Sequence, residues 1–237
     1  MREVFSRVQD TQEIFIEVEL DAQEHEETHP WLLSVFVKYN SLNPDTEGYE
    51  EFLETKEALI LALGHNQRAI YVGSRVVDGW SEFYFYSYDS KNLDAVVKKI
   101  LQPSEYVFES YIVRDTKYNF YKTELFPTEL EFCHIESAKI IFMLEEEGED
   151  LSVIRDVEHY VSFLTPSQKD RFLQYVDELG FSFKDEISAD EFENGVALIK
   201  RHSVKEDEVK KVVEKLFLKL KKEGGFYEGW STTLVTL

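Results

Sequence analysis

The sequence predicts an α+β protein with two tandem ferredoxin-like domains, each a two-layer sandwich with the element order β-α-β-β-α-β. A length of 237 residues suits two ordinary domains, and a hydrophobic content of 43% suffices to build a core in each. Apolar residues recur every two positions in some segments, as in strands, and every three to four in others, as in helices. This order of strand and helix patterns occurs twice along the chain, which predicts two domains of one type.

The first half opens with a predicted strand over residues 14–20, because Ile14, Ile16 and Val18 alternate with glutamates. An apolar run over residues 31–39 predicts the next strand, and a turn is expected at Asn43 and Pro44. The other expected elements are a helix over 49–64, strands over 69–72 and 81–88, a helix over 91–101, and a terminal hairpin of strands over 106–113 and 118–125.

The second half opens with a predicted helix over residues 138–147, which stops at Gly148. Thr165 and Gln168 form a capping-box pattern around Pro166, which predicts the start of a further helix. The remaining expected elements are strands over 153–163, 181–187 and 195–204, the last two joined by an acidic loop, a helix over 209–223, and a short strand over 230–235. We place the first domain at residues 1–134 and the second at 135–237.

Composition narrows the classes of function. Lys and Arg number 26 against 47 Asp and Glu, and the resulting charge of -21 disfavours direct binding to a nucleic-acid backbone. A single cysteine, Cys133, leaves no partner for an internal disulfide, which indicates a reducing compartment and predicts a cytoplasmic protein. Residues 1–10 lack the apolar core of a signal peptide, and the longest apolar run, 58–63, is far shorter than the ~20 residues of a membrane span. We therefore expect neither secretion nor insertion into a membrane.

One short motif suggests a metal-dependent hydrolase. His25, Glu26 and His29 match the H-E-x-x-H pattern, which on a helix places two histidines beside one zinc ion and a glutamate base beside them. Pro30 follows directly and disfavours helical backbone at His29, so a solvated acidic loop is the favoured interpretation. The hydrolase stays as an alternative, and metal analysis would decide between the two.

An aromatic strand allows a second alternative. Trp80, Tyr84 and Tyr86 share one strand face, whereas Phe83 and Phe85 share the other. Aromatic sheet faces stack single-stranded RNA bases in some modules, but the acidic surroundings favour a domain or subunit interface. The sequence shows no phosphate-binding glycine loop and no nucleophile elbow, so we expect neither catalysis nor a cofactor.

The end of the chain carries the most specific motif. The last helix is followed by Gly224, Gly225, Phe226, Tyr227, Glu228, Gly229 and Trp230. Further shared positions are Arg155, Val157, His159, Phe163, Gly180, Phe181, Gly195 and Val196. With these residues the second half resembles the regulator of ribonuclease E activity B family, although Glu228 stands where that family usually has Asp. The first half resembles an uncharacterised domain sometimes joined ahead of that family.

This resemblance implies a ferredoxin-like, non-catalytic regulator that restrains an RNA-degrading enzyme by contacting the protein rather than the RNA. The expected partner is a ribonuclease or its scaffold. The candidate contact residues at matching positions are Arg155, Glu158, His159, Tyr227 and Trp230. Replacing Arg155 or Tyr227 by alanine is expected to weaken partner binding and to leave thermal stability nearly intact, since both residue types are enriched at interface hot spots.

Overall fold

The computed structural model describes residues 1–39, 45–189 and 192–235. The predicted turn at Asn43 and Pro44, and the middle of the predicted acidic loop before Gly195, lie outside these ranges. The chain forms two compact units, Met1–Phe126 and Pro127–Leu237. The division lies ahead of the boundary expected at 134/135, because the helix that spans 134/135 packs as a whole on the second unit.

The first unit is built on a six-stranded antiparallel sheet in the order β1-β2-β4-β5-β3-β6. Its strands are β1 (Arg2–Gln9), β2 (Gln12–Glu19), β3 (Trp31–Val37), β4 (Ala69–Val77), β5 (Trp80–Ser87) and β6 (Phe108–Arg114). Its longer helices are α1 (Tyr49–Gly64) and α2 (Leu93–Leu101), and short helical turns span Leu20–His25, His65–Gln67 and Tyr121–Leu125. The sequence pattern did not predict β1. Its exposed residues are partly apolar and its less exposed residues include charged ones, so polarity does not alternate along the strand.

Both faces of the central strands of this sheet are covered from within the unit. The helices α1 and α2 pack on one face, where Phe83 and Phe85 are buried. On the opposite face Tyr118 and Tyr121 are fully buried against Tyr84 and Tyr86. The predicted strand over 118–125 is therefore wrong, since its buried residues follow a helical spacing. The aromatic strand is core rather than an interface, and its tyrosine rings are not available to stack RNA bases.

The second unit carries a four-stranded antiparallel sheet in the order β10-β7-β9-β8. Its elements are α3 (Glu129–Glu146), β7 (Arg155–Phe163), α4 (Pro166–Leu173), β8 (Ser182–Ala189), β9 (Phe192–His202), α5 (Glu206–Glu223) and β10 (Gly225–Thr232). The capping box of Thr165 and Gln168 starts α4 as predicted. A second capping box, Thr128 with Glu131, starts α3 earlier than residue 138, so Cys133 and His134 lie in a helix.

The two units share one strand arrangement. In the first, the four strands β3 to β6 give the order β4-β5-β3-β6, and in the second the equivalent order is β8-β9-β7-β10. The predicted mixed α+β class is confirmed, with antiparallel sheets in both units. The β1–β2 hairpin is an addition that widens the first sheet at β4. Among the described helices none has the combined length and apolarity of a membrane-spanning segment.

Candidate functional site

The strand β7 sorts the candidate residues onto two faces of the second sheet. Successive side chains of a strand point to opposite faces, so Arg155, Val157 and His159 share one side and Glu158 lies on the other. Arg155 is 5% exposed and His159 is 0% exposed, whereas Glu158 is half-buried. Arg155 and His159 therefore belong to the interior beneath the helices.

Arg155 is held in a buried ion pair. Its Nη1 lies 2.5 Å from Oε2 of Glu149, and its Nη2 donates to the backbone carbonyl of Asp150 at 2.7 Å. The backbone N–H of Val235 also donates to Glu149, and this bond together with Arg155 lowers the pKa of that carboxyl group. Arg155 thus joins the start of β7 to the preceding turn, and Glu149 joins that turn to Val235.

His159 lies at the centre of a hydrogen-bond chain. Its Nδ1 is 2.9 Å from the hydroxyl of Tyr227, and its Nε2 is 3.1 Å from Nε2 of His202. Nδ1 of His202 donates to the carbonyl of Ser203 at 2.7 Å. Burial lowers the pKa of His159 to about 3, with His202 and Lys200 acting in the same direction. Both rings are therefore neutral near pH 7.

A β-bulge in β10 brings Tyr227 and Trp230 to the same face. Residues three apart in a regular strand point to opposite sides, but the pairing shifts between Tyr227 and Gly229. Tyr227 therefore pairs with Val161 and Trp230 with His159, both on the helix side. Gly229 has a φ of 124°, in the region that glycine occupies most easily, which explains its place in the terminal motif.

Tyr227 and Trp230 line a groove of about 260 Å³ between α3, α5 and β10. The indole Nε1 of Trp230 donates to Oγ of Ser137 at 3.0 Å and so joins β10 to α3. The groove is largely apolar, and the other aromatic side chains that line it are Phe132, Phe217 and Phe226. Phe226 is 41% exposed, so an aromatic surface is accessible from solvent at the mouth of the groove.

Negatively charged side chains outnumber positively charged ones around this groove. Glu129, Glu136 and Glu228 line it together with a single lysine, Lys221, which pairs with Glu129. Burial raises the pKa of the Cys133 thiol, also in the groove, to about 11. Cys133 is therefore protonated near neutral pH and lacks the thiolate that a cysteine nucleophile needs.

Glu158 lies apart from the groove, on the open face of the sheet. Its carboxylate pairs with Lys184 and accepts a hydrogen bond from Tyr160 at 3.2 Å. The bond to Lys184 is the main cause that lowers the pKa of Glu158. The five predicted residues thus divide among the groove (Tyr227, Trp230), its support (His159), a separate buried pair (Arg155) and the opposite face (Glu158).

Sequence reasoning missed the groove residues outside the terminal motif. Phe132, Glu136 and Ile140 recur every four positions along α3, which signals one helix face. This helix face was not predicted, because the predicted helix started only at residue 138. Phe217 lies on α5, and its role depends on the packing of α5 beside α3, which no local pattern encodes.

The H-E-x-x-H motif does not assemble a metal site. The motif begins at the end of the short helical turn Leu20–His25, and both ring nitrogens of His29 have partners. Nδ1 lies 2.7 Å from the Thr28 hydroxyl, and Nε2 lies 3.0 Å from the carbonyl of Gln67. Within the described ranges, His, Cys, Asp and Glu side chains nowhere gather in threes that could hold a metal ion.

Two family models match the chain. Residues 3–126 match the family of unknown function DUF695, and residues 134–232 match the family called regulator of ribonuclease activity B. These matches confirm the resemblance drawn from the sequence in both halves. No curated protein matches the chain. The solved structures include a similar one, an unknown protein from Galdieria sulphuraria, with 14% identity over 88% of this chain and 99% of that one; its TM-score of 0.24 supports no conclusion.

Proposed function

Since the chain belongs to the family of unknown function DUF695 and its second half matches the regulator of ribonuclease activity B family, we propose that it is a non-catalytic regulator. It acts by contact with a protein partner, an RNA-degrading enzyme or the scaffold of one. The observation that carries this proposal is the open aromatic groove in the unit that matches the regulator family.

The groove has the chemistry of a protein-binding site. Aromatic side chains supply large contact areas at little conformational cost, and they dominate interface hot spots. Phe226 is exposed at the mouth, and Tyr227 and Trp230 line the interior. The carboxylates around it favour a partner segment with an apolar anchor next to a lysine or arginine.

The five sequence-derived residues take different roles in this proposal. Tyr227 and Trp230 line the proposed binding groove, and because Trp230 is only 4% exposed, Phe226 offers the accessible contact; His159 supports Tyr227 from below through its hydrogen bond. Arg155 stabilises the unit that presents the groove. Glu158 is a proposed contact of the open sheet face, independent of the groove.

The same reasoning extends to fold type and compartment. We assign the ferredoxin-like topology to the element order β7-α4-β8-β9-α5-β10, supported by the sheet order β10-β7-β9-β8. The strands and helices from β3 to β6 have the same order, which supports a duplicated fold. A cytoplasmic location is the further proposal, supported by the single protonated cysteine.

The test is an RNA-cleavage assay with purified endoribonuclease from the same organism, run with increasing amounts of the full chain. We expect a saturable decrease in cleavage rate that Phe226→Asp abolishes. Phe183→Asp is the matched control, because Phe183 is 49% exposed on β8, at the other edge of the sheet. The control variant should inhibit like the unchanged chain.

Two results would overturn the proposal. Cleavage that stays unchanged at a large excess of the chain would remove the regulatory function. Inhibition accompanied by direct binding of the chain to labelled RNA, without the enzyme, would instead indicate an RNA-binding module.

A further inference from the structure

The first unit has an apolar sheet surface that its own helices leave uncovered. The hairpin of β1 and β2 extends the sheet beyond the strands on which α1 and α2 pack. On the helix side of this hairpin, Val4 is 65% exposed, Val8 72% and Phe15 41%. Leu53, on the flank of α1 that faces the hairpin, is 38% exposed.

The register of the strands places these side chains on one surface. Phe15 pairs with Val76 and Glu17 with Ser74, and Glu17 contacts Lys56 of α1, so this is the face toward the helices. Val4 pairs with Glu17, which puts it on the same side. A groove of about 330 Å³ runs between these residues and α1, and we call it the hairpin groove.

The width of the uncovered strip fits one helix. Strands lie about 4.8 Å apart, so two strands leave a strip about 10 Å wide, which is the diameter of an α-helix with its side chains. The strand β1 has 8 residues. At about 3.3 Å per residue it is roughly 26 Å long, which matches about 17 residues of helix.

The charges around the hairpin groove favour a basic occupant. The basic side chains at or beside this groove are already paired: Arg2 with Glu19, Lys56 with Glu17, and Arg75 with Glu82. Exposed carboxylates remain on the same hairpin, at Glu13, and on α1 next to Leu53, at Glu50, Glu54 and Glu57. A helix with an apolar stripe and flanking lysines or arginines complements this surface.

We propose that the hairpin groove binds an amphipathic, basic α-helix of a protein partner, which lies beside α1 as a third helix of the layer. Its apolar stripe packs on Val4, Phe15 and Leu53, and its basic residues face the carboxylates of α1. This site lies in the first unit and is independent of the proposed groove in the second.

The experiment measures binding of a labelled synthetic helix of about 18 residues, with leucines on one face and lysines on the other, to the full chain by fluorescence anisotropy. Val4→Asp and Leu53→Asp should each weaken binding at least about tenfold. Leu61→Asp is the matched control, because Leu61 is 74% exposed on α1 and does not line the groove. The control should retain the affinity of the unchanged chain, and circular dichroism should show that all three variants fold.

Three outcomes would overturn the proposal. Equal losses in the control and groove variants would indicate general attraction to an acidic protein. Equal binding of a peptide with glutamates in place of lysines would remove the charge argument. A dimer in sedimentation that Val4→Asp dissociates would make a second copy of this chain the occupant.

Discussion

The imidazole rings of His159 and His202 share a hydrogen bond of 3.1 Å between their Nε2 atoms. Nδ1 of His202 donates to the carbonyl of Ser203, so its Nε2 is free to accept from His159. Nδ1 of His159 in turn accepts from the hydroxyl of Tyr227. A proton added to Nε2 of His202 would leave two N–H donors facing each other, so the bond between the two rings requires a neutral His202.

The histidine pair predicts a loss of stability in acid. Burial lowers the pKa of His159 to about 3 and also lowers that of His202, while both titrate near pH 6.5 when unfolded. The unfolded chain therefore binds more protons below pH 6.5, and the stabilisation, complete above that pH, is lost as pH falls toward 3. For His159 this is about 2 kcal/mol between pH 6.5 and 5, measurable by urea unfolding.

The control for the pH prediction is His65, which is exposed at the end of α1. His65→Gln should leave the pH dependence unchanged, and His159→Gln should flatten it. An identical slope in all three proteins would show that the buried pair is not its source.

The ion pair of Arg155 with Glu149 predicts a large effect of single substitutions. Arg155→Met leaves a carboxylate without its partner in the interior, so we expect the melting temperature to fall by several degrees. Replacing both residues by methionine should recover much of the loss. The burial of Arg155 thus contradicts the expectation that Arg155→Ala leaves stability intact.

A surface ion pair that joins β7 to β9 is the control for Arg155. Arg201 and Asp156 are 3.4 Å apart and both are largely exposed. Because exposed ion pairs contribute little, Arg201→Met should change the melting temperature only slightly. Comparable losses from Arg155→Met and Arg201→Met would argue against a buried pair.

The single thiol predicts slow chemical labelling. Burial raises the pKa of Cys133 to about 11, so the thiolate fraction at pH 8 is roughly 100-fold smaller than in the unfolded chain. The reaction with a disulfide reagent, followed by absorbance, should be slower by a similar factor in the native protein. The same rate in native buffer and in urea would show that the thiol is not shielded.

Two tyrosines of the segment over residues 118–125, Tyr118 and Tyr121, form a matched pair for mutation. The hydroxyl of Tyr118 is buried without a hydrogen-bond partner in the described structure, so Tyr118→Phe should leave stability unchanged or raise it. The hydroxyl of Tyr121 donates to the carbonyls of Glu19 and Leu20. Tyr121→Phe should cost about 1 kcal/mol, and thermal unfolding of the two variants in parallel measures the difference.

The sequence by itself determined the elements whose signals are local. The capping box at Thr165 and the left-handed glycine at Gly224 mark helix ends through contacts within a few residues. The alternation in β2 and β7 predicted their strands, since a half-buried strand repeats every two residues. The terminal motif around Trp230 identified the family match of the second half.

Only the tertiary structure decided the features that depend on distant packing. The segment over 118–125 is apolar in either conformation, and it is helical because it covers the far face of the first sheet. His159 is an interior residue that pairs with the distant His202 on the neighbouring strand, and Arg155 pairs with Glu149 of the turn before β7; neither pairing can be read from residue spacing. Both grooves form where separate helices and strands meet. Which side chains are buried there, and which ones they contact, depends on residues far apart in the sequence, and local periodicity does not indicate these contacts.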